Sequence, residues 1–231
     1  MKLQKETKSP DTRHGRWYED ACGTAFAMEL IGERWSLLVL RELMLGPRRF
    51  SKLRQALNGI SAKVLTERLE SLERAGAVVK RTLPPPANVQ VYELTEWGYL
   101  AEPAIQELGR WAAQSPLHDP TLPLSPVSLM LSFRTMLDKV RAREFDATVG
   151  FNVAGECYLA ELADGELPIR RTDIGDAQVT FRAPAAPLLA AAFYGKVPAE
   201  DLAGQGVRID GDRALADRFI DLFHLPAKVG G

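Results

Sequence analysis

The stretch Phe50-Ser-Lys-Leu-Arg-Gln-Ala-Leu-Asn-Gly-Ile-Ser-Ala-Lys-Val-Leu-Thr-Glu-Arg-Leu69 reads as two short helices about a tight turn. Phe50, Leu53 and Leu57 recur at i, i+3 and i+7, on one face of a two-turn helix. Asn58-Gly59 supplies its stop. Ser61 then offers a hydroxyl to cap an unpaired backbone N–H of a following helix that runs to about Ala75, with Gly76 after it. In this second helix Leu65, Leu69 and Leu72 share a face, and Ala62, Lys63, Thr66, Glu67 and Glu70 point elsewhere. Helix, tight Asn-Gly-Ile turn, helix is a helix-turn-helix arrangement.

The flanks extend the pattern. Upstream, Ala21 to Leu45 is strongly apolar with helical spacing, interrupted at Gly32 and stopped by Gly46-Pro47. Downstream, Ala77 to Leu83 and Val89 to Leu94 read as strands joined by the stiff tip Pro84-Pro-Pro-Ala-Asn88. A hairpin directly after a helix-turn-helix makes a winged helix. Glu96 to Gln114 is helical again, with Leu100, Ile105, Leu108 and Trp111 apolar and Pro103 near its start. That helix carries more apolar surface than one wing can cover, which favours a C2 dimer.

The chain has 231 residues, room for two modest domains, and its 46% hydrophobic and 26% charged residues exclude disorder as the main state. Four prolines fall between Ser115 and Pro126 and mark the boundary. The net charge of −1 hides opposite halves: 17 basic against 14 acidic residues before Pro116, and 12 against 16 from there on. Between Arg48 and Arg81 nine basic residues face three acidic ones, a local excess of the kind that phosphate contact needs. Cys22 and Cys157 are too few and too far apart for a disulfide framework or a metal site. No segment reaches the roughly 20 apolar residues that cross a bilayer, so a cytoplasmic location and no membrane partner are expected.

Beyond the linker the pattern is α+β. Val127 to Val140 reads as an amphipathic helix, and Asp146 to Val153, Glu156 to Leu162, Glu166 to Arg171, Ala177 to Phe181 and Val207 to Asp210 read as strands. Pro184 to Tyr194 and Asp212 to Phe223 read as helices. The expected arrangement is an antiparallel sheet with helices over one face. Asp210-Gly-Asp212 reads as a turn and helix cap, and no catalytic constellation, dinucleotide or nucleotide loop, zinc spacing or calcium loop is found. His14, His118 and His224 lie in the arm, the linker and the last residues. The expectation is no enzyme, no cofactor and no metal.

Ala27-Met-Glu-Leu-Ile-Gly-Glu-Arg-Trp35, Leu45-Gly-Pro-Arg-Arg-Phe50, Gly59-Ile-Ser-Ala-Lys-Val-Leu-Thr-Glu-Arg-Leu69 and Val91-Tyr-Glu-Leu-Thr-Glu-Trp-Gly98 resemble the HxlR-type winged-helix transcription regulators, relatives of the MarR group. The resemblance covers about Cys22 to Asp119. It implies a double-stranded DNA partner, a homodimer formed through the terminal helices, and a recognition helix at Ser61 to Arg74 that enters the major groove. Lys63 and Thr66 then suit base edges, the Ser61 hydroxyl and the helix's positive N-terminal end suit a phosphate, Ala62 and Arg68 lie on the same helix, and Arg48, Arg49, Lys52 and Arg54 flank the groove on phosphates. Lys80 and Arg81 remain for phosphate on the wing, whose tip lacks the basic residue that relatives often carry. The alternative for all of these is a solvated basic face. Repression is the family's commoner habit.

Tyr158-Leu-Ala-Glu-Leu-Ala-Asp-Gly165, Ala177-Gln-Val-Thr-Phe-Arg182 and Gly206-Val-Arg-Ile-Asp-Gly-Asp212 resemble the sterol-carrier-protein-2-like fold over about Val127 to Leu225. That resemblance implies an apolar tunnel for a small-molecule effector, with Phe151, Leu189, Phe193, Tyr194, Phe219 and Phe223 as wall residues. The alternative is that these side chains are ordinary core. Some HxlR-type regulators sense oxidants or electrophiles through a first-helix cysteine, which makes Cys22 a redox candidate and a redox-responsive regulator with a structural C-terminal half the second reading. By residue type alone Cys22 is a small buried hydrophobe. The expected divisions are an arm (1–20), the winged helix (21–114), the linker (115–126), the second domain (127–225) and a tail (226–231).

Overall fold

A computed structural model describes residues 18–230. Most of the expected arm, with His14, lies outside the described residues.

Helix α1 (Gly23–Ile31) and helix α2 (Ser36–Leu43) are separated where Gly32 ends the first and Trp35 takes a left-handed backbone, φ 82°. α2 is the spine of the N-terminal half, with Val39, Leu40 and Leu43 buried. Helices α3 (Phe50–Ala56) and α4 (Ala62–Arg74) pack on it through Leu53, Leu65, Leu69 and Leu72, so the leucine spacing seen in the sequence is the buried seam. Between them Gly59 holds φ +88°, which a side chain would strain, and Ile60 is buried beneath the turn. Ser61 caps α4 by accepting from the Val64 N–H at 3.2 Å.

Strands β1 (Val78–Thr82) and β2 (Gln90–Leu94) form the antiparallel wing, Val78 facing Leu94 and Thr82 facing Gln90. Its base is tied twice. Arg48 and Tyr92 exchange backbone hydrogen bonds of 2.8 Å each, and the Thr95 hydroxyl donates to the Gly76 carbonyl at 2.7 Å. The helix expected over 96–114 is two: α5 (Glu96–Tyr99) and α6 (Glu102–Ala113), with Pro103 in the first turn of the second, where its missing N–H costs nothing. Gly98 is required by packing, because a Cβ there would lie 2.2 Å from the Ala77 carbonyl oxygen.

Helix α7 (Pro126–Met136) begins the second half, capped by Ser125 and buried along nearly its whole length. It stops short of the expected Val140 because Leu137 turns extended and bridges to Phe223. Strands β3 (Ala147–Val153), β4 (Glu156–Leu162), β5 (Ile169–Arg170), β6 (Val179–Ala183) and β7 (Arg208–Gly211) form one sheet in the order β5-β4-β3-β6-β7. The expected antiparallel sheet is corrected to a mixed one. β6 runs parallel to β3, Phe151 facing Phe181, because the chain leaves the β5 edge and crosses to the far side of the β3–β4 hairpin. Helices α8 (Ala186–Tyr194), α9 (Ala199–Leu202) and α10 (Arg213–Ile220) complete this half. Asp212 caps α10, accepting from Leu215 N–H at 3.0 Å, as its turn motif suggested.

The buried apolar side chains of both halves form one continuous cluster, and α7 packs on α6 and α2. The tail closes the circuit. Lys228 donates to the carbonyls of Ala113 and Ser115 at 2.9 Å each, and the Val229 N–H reaches the Gln114 carbonyl at 2.8 Å. Among the described residues no helix is long and apolar enough to cross a membrane.

Candidate nucleic-acid interface

The leucine face of α4 is consumed by the core, so its opposite face is what the fold offers outward. Ser61, Ala62, Lys63 and Thr66 are exposed at its N-terminal end, where the helix dipole is positive. The Lys63 side chain is 87% exposed and meets Glu67 only at 4.0 Å, a pair too solvated to hold it. Arg49, Lys52 and Arg54 are exposed along the α3 segment beside it, Lys52 touching Gln55 at 3.5 Å. On the wing, Lys80 sits over the Tyr92 ring, 5.7 Å from its centroid, and Arg81 pairs across the strands with Glu93.

Two expected phosphate or groove residues point away. Arg48 is only 4% exposed. Its backbone is fixed by the bridge to Tyr92, and its guanidinium holds both carboxylate oxygens of Glu156 at 3.2 and 2.5 Å. A phosphate grip by Arg48 is therefore corrected to a contact between the two halves. Arg68 turns back onto Glu33 at 3.1 Å and Glu67 at 3.8 Å, beside the break that follows α1, and does not face the groove side.

The wall residues of the expected tunnel are likewise corrected. Phe151, Leu189, Phe193, Phe219 and Phe223 are fully buried, and the rings pack on one another with Phe133 and Phe181. Phe133 and Phe193 lie 4.4 Å apart, Phe151 stacks on Phe181 at 5.5 Å, and Phe193 meets Phe219 and Phe223 edge-on at 6.1 and 5.4 Å. Contacts this close leave the ring centres filled by each other. Tyr194 spends its hydroxyl on Ser132 at 2.6 Å, and burial pushes its ionisation far above the usual phenol range. Cys22 is corrected in the other direction: it is exposed rather than buried, at the start of α1, where the Thr24 and Ala25 amides lower its pKa.

A polar seam between the halves escaped the sequence reading. Arg48, Glu156, Tyr158 and Arg171 meet there from positions up to 123 apart in number, and nothing in spacing or composition joins them. Tyr158 donates to Glu156 at 2.7 Å, and Arg171 donates to the Pro47 carbonyl at 2.5 Å. Burial works against the Glu156 charge, but the Tyr158 hydroxyl and Arg48 outweigh it and hold the carboxyl below its ordinary range. Beside them Glu42, fully buried, accepts from Ser125 at 2.6 Å and pairs with Arg41 at 3.0 Å.

A helix-turn-helix with a wing, a basic α3 and a free-standing polar end on α4 define a winged-helix transcription regulator. Residues 30–118 match the HxlR-like helix-turn-helix family, and the chain belongs to it. The HTH-type transcriptional regulator YodB of Bacillus subtilis is 39% identical over 88 residues, which are 38% of this chain and 79% of YodB. YvaP of the same organism is 38% identical over 89 residues, 38% of this chain and 82% of YvaP. The solved reduced form of YodB aligns over 43% of this chain and 100% of that one, at 35% identity with a TM-score of 0.39.

Proposed function

We propose that this chain is a homodimeric DNA-binding regulator, a repressor by the family's habit, that reads a pseudo-palindromic operator with the N-terminal end of α4. The observation that carries the reading is the outward end of α4, Ala62, Lys63 and Thr66, flanked by exposed Arg49, Lys52 and Arg54. Lys63 and Thr66 serve base edges, and Arg49, Lys52 and Arg54, with Lys80 and Arg81 on the wing, serve phosphates. Ser61 is spent mainly on capping. The dimer is supported by α1, which buries no residue of its own, and by Leu108 and Trp111, exposed on α6. The reader spans 21–114, the linker 115–126 and the second domain 127–225, read as sterol-carrier-protein-2-like from its sequence blocks alone. Its filled centre makes it a packed partner of the reader rather than a lipid carrier.

Selection of duplexes from a random-sequence pool tests the reading. Arg49→Ala with Lys63→Ala abolishes the shift of the selected duplex while light scattering still reports a dimer. Retained binding by the double variant sinks the assignment.

The exposure of Cys22, with its lowered pKa, favours a second reading in which oxidation at α1 governs DNA affinity. A thiol oxidant then weakens operator binding by the parent protein and leaves Cys22→Ser unchanged. Equal responses exclude it.

A further inference from the structure

The second domain grips the reader at one dipeptide. Pro47 has a fixed φ and no N–H, so its carbonyl is the polar handle its backbone offers, and Arg171, the residue after β5, donates to that carbonyl at 2.5 Å. The next residue is held by its side chain. Arg48 gives its guanidinium to Glu156 and, at 3.4 Å, to the hydroxyl of the fully buried Tyr158, both on β4.

On its other sides this dipeptide leads to two of the outward cations. Arg48 and Tyr92 exchange backbone hydrogen bonds, and Tyr92 faces Lys80 across the wing, so residues 48, 92 and 80 form one row across three extended segments. β1 is exposed from Val79 outward, so Lys80 takes its place from this pairing and not from burial of its own side chain. In the other direction comes Arg49, from which α3 starts, its carbonyl accepting from the Lys52 and Leu53 N–H groups at 3.0 and 3.1 Å. The grip is made of charges at a cost. Burial and the neighbouring Arg48 charge both depress the Arg171 pKa, and the Glu156 carboxylate acts on both guanidiniums. Apolar side chains of similar volume would adhere as well, whereas a bidentate pair works in one orientation only.

We propose that Arg171 and Glu156 are positioning residues for DNA binding: through Pro47 and Arg48 the second domain sets where the wing's Lys80 and the Arg49 end of α3 stand relative to α4. The consequence for DNA rests on the DNA-binding reading; the brace itself does not.

The brace is tested on the full chain without DNA, by the spin–spin distance between nitroxide labels at Ala87→Cys on the wing tip and Glu70→Cys on α4. The background is Cys22→Ser with Cys157→Ser, and labelled chain is diluted with unlabelled. Arg171→Leu and Glu156→Gln each broaden the distance distribution at least twofold while the melting curve shows a folded chain, and Arg171→Lys, which keeps a charged donor, restores the narrow distribution. An unchanged distribution in both variants, or equal broadening by leucine and lysine at 171, overturns the brace. On the selected duplex, Arg171→Leu weakens binding at least fivefold and makes the log–log salt dependence shallower, by about 0.9 for each phosphate contact given up. Lys80→Ala costs at least threefold in the parent and less than half as much in Arg171→Leu. Additive costs with a parental salt slope overturn the link to DNA alone. A parent that selects no duplex fails the DNA reading, and the distance measurement still decides the brace.

Discussion

Arg48 illustrates how far a single side chain is legible from its neighbours in sequence. Next to Arg49 it reads as one of a pair of phosphate contacts, and nothing local separates the two. The separation comes from the backbone bridge to Tyr92, which fixes the strand-like direction of residue 48 and sends alternate side chains to opposite sides. Arg49 is left in solvent and Arg48 is committed to Glu156. That commitment has a pH signature. The Glu156 carboxyl is held below its ordinary value in the folded chain, and the unfolded chain restores it to about 4.3. Its stabilisation is therefore complete above the unfolded value and is lost as pH falls through the folded one. Glu156→Gln lowers stability near pH 7 by about 1.5–3 kcal/mol, the range for hydrogen bonds to charged groups. It also flattens the acid limb, so that urea midpoints of variant and parent converge as pH falls through the folded value. Parallel curves from pH 7 to pH 3 contradict this.

At the scale of elements, periodicity carried the reading wherever one face of a segment is buried. α3, α4 and the wing strands fall within a residue or two of their expected positions; leucine spacing marks the two helices, and the Pro84–Asn88 tip and Gly76 bound the strands. Periodicity failed where a distant segment ends an element, as where Leu137 leaves α7 to pair with Phe223, and where order across the sheet decides strand direction, as for β6. The apolar face of α6 was legible too, as surface in excess of what one wing covers. In the proposed dimer Trp111, 71% exposed, and Leu108 are covered by a second copy, at roughly 1.5–3 kcal/mol each. Leu108→Glu with Trp111→Glu gives a monomer by light scattering at micromolar concentration and leaves the melting temperature within a few degrees of the parent. A dimer that survives both charges places its interface elsewhere.

Across the whole molecule, the proline-rich boundary was visible in the sequence and the seam was not. Composition marks where a chain can bend, but the meeting of Arg48 with Glu156, or of Glu42 with Ser125, depends on how two finished surfaces dock. The aromatic residues show the same limit. Their number suggested walls, and only the ring-on-ring packing reveals a filled interior. The charge asymmetry acquires a spatial meaning as well, since the basic outer surface of α3 and α4 belongs to the reader and the acidic excess to the half behind it. The Lys228 clasp on the end of α6 carries this further. With α7 on one side and the returning tail on the other, the last helix of the reader is held by segments from both ends of the second domain. Peptide continuity through 115–126 is thus only one of several attachments, and a backbone nicked there would leave two fragments still knit together, each serving as the other's scaffold.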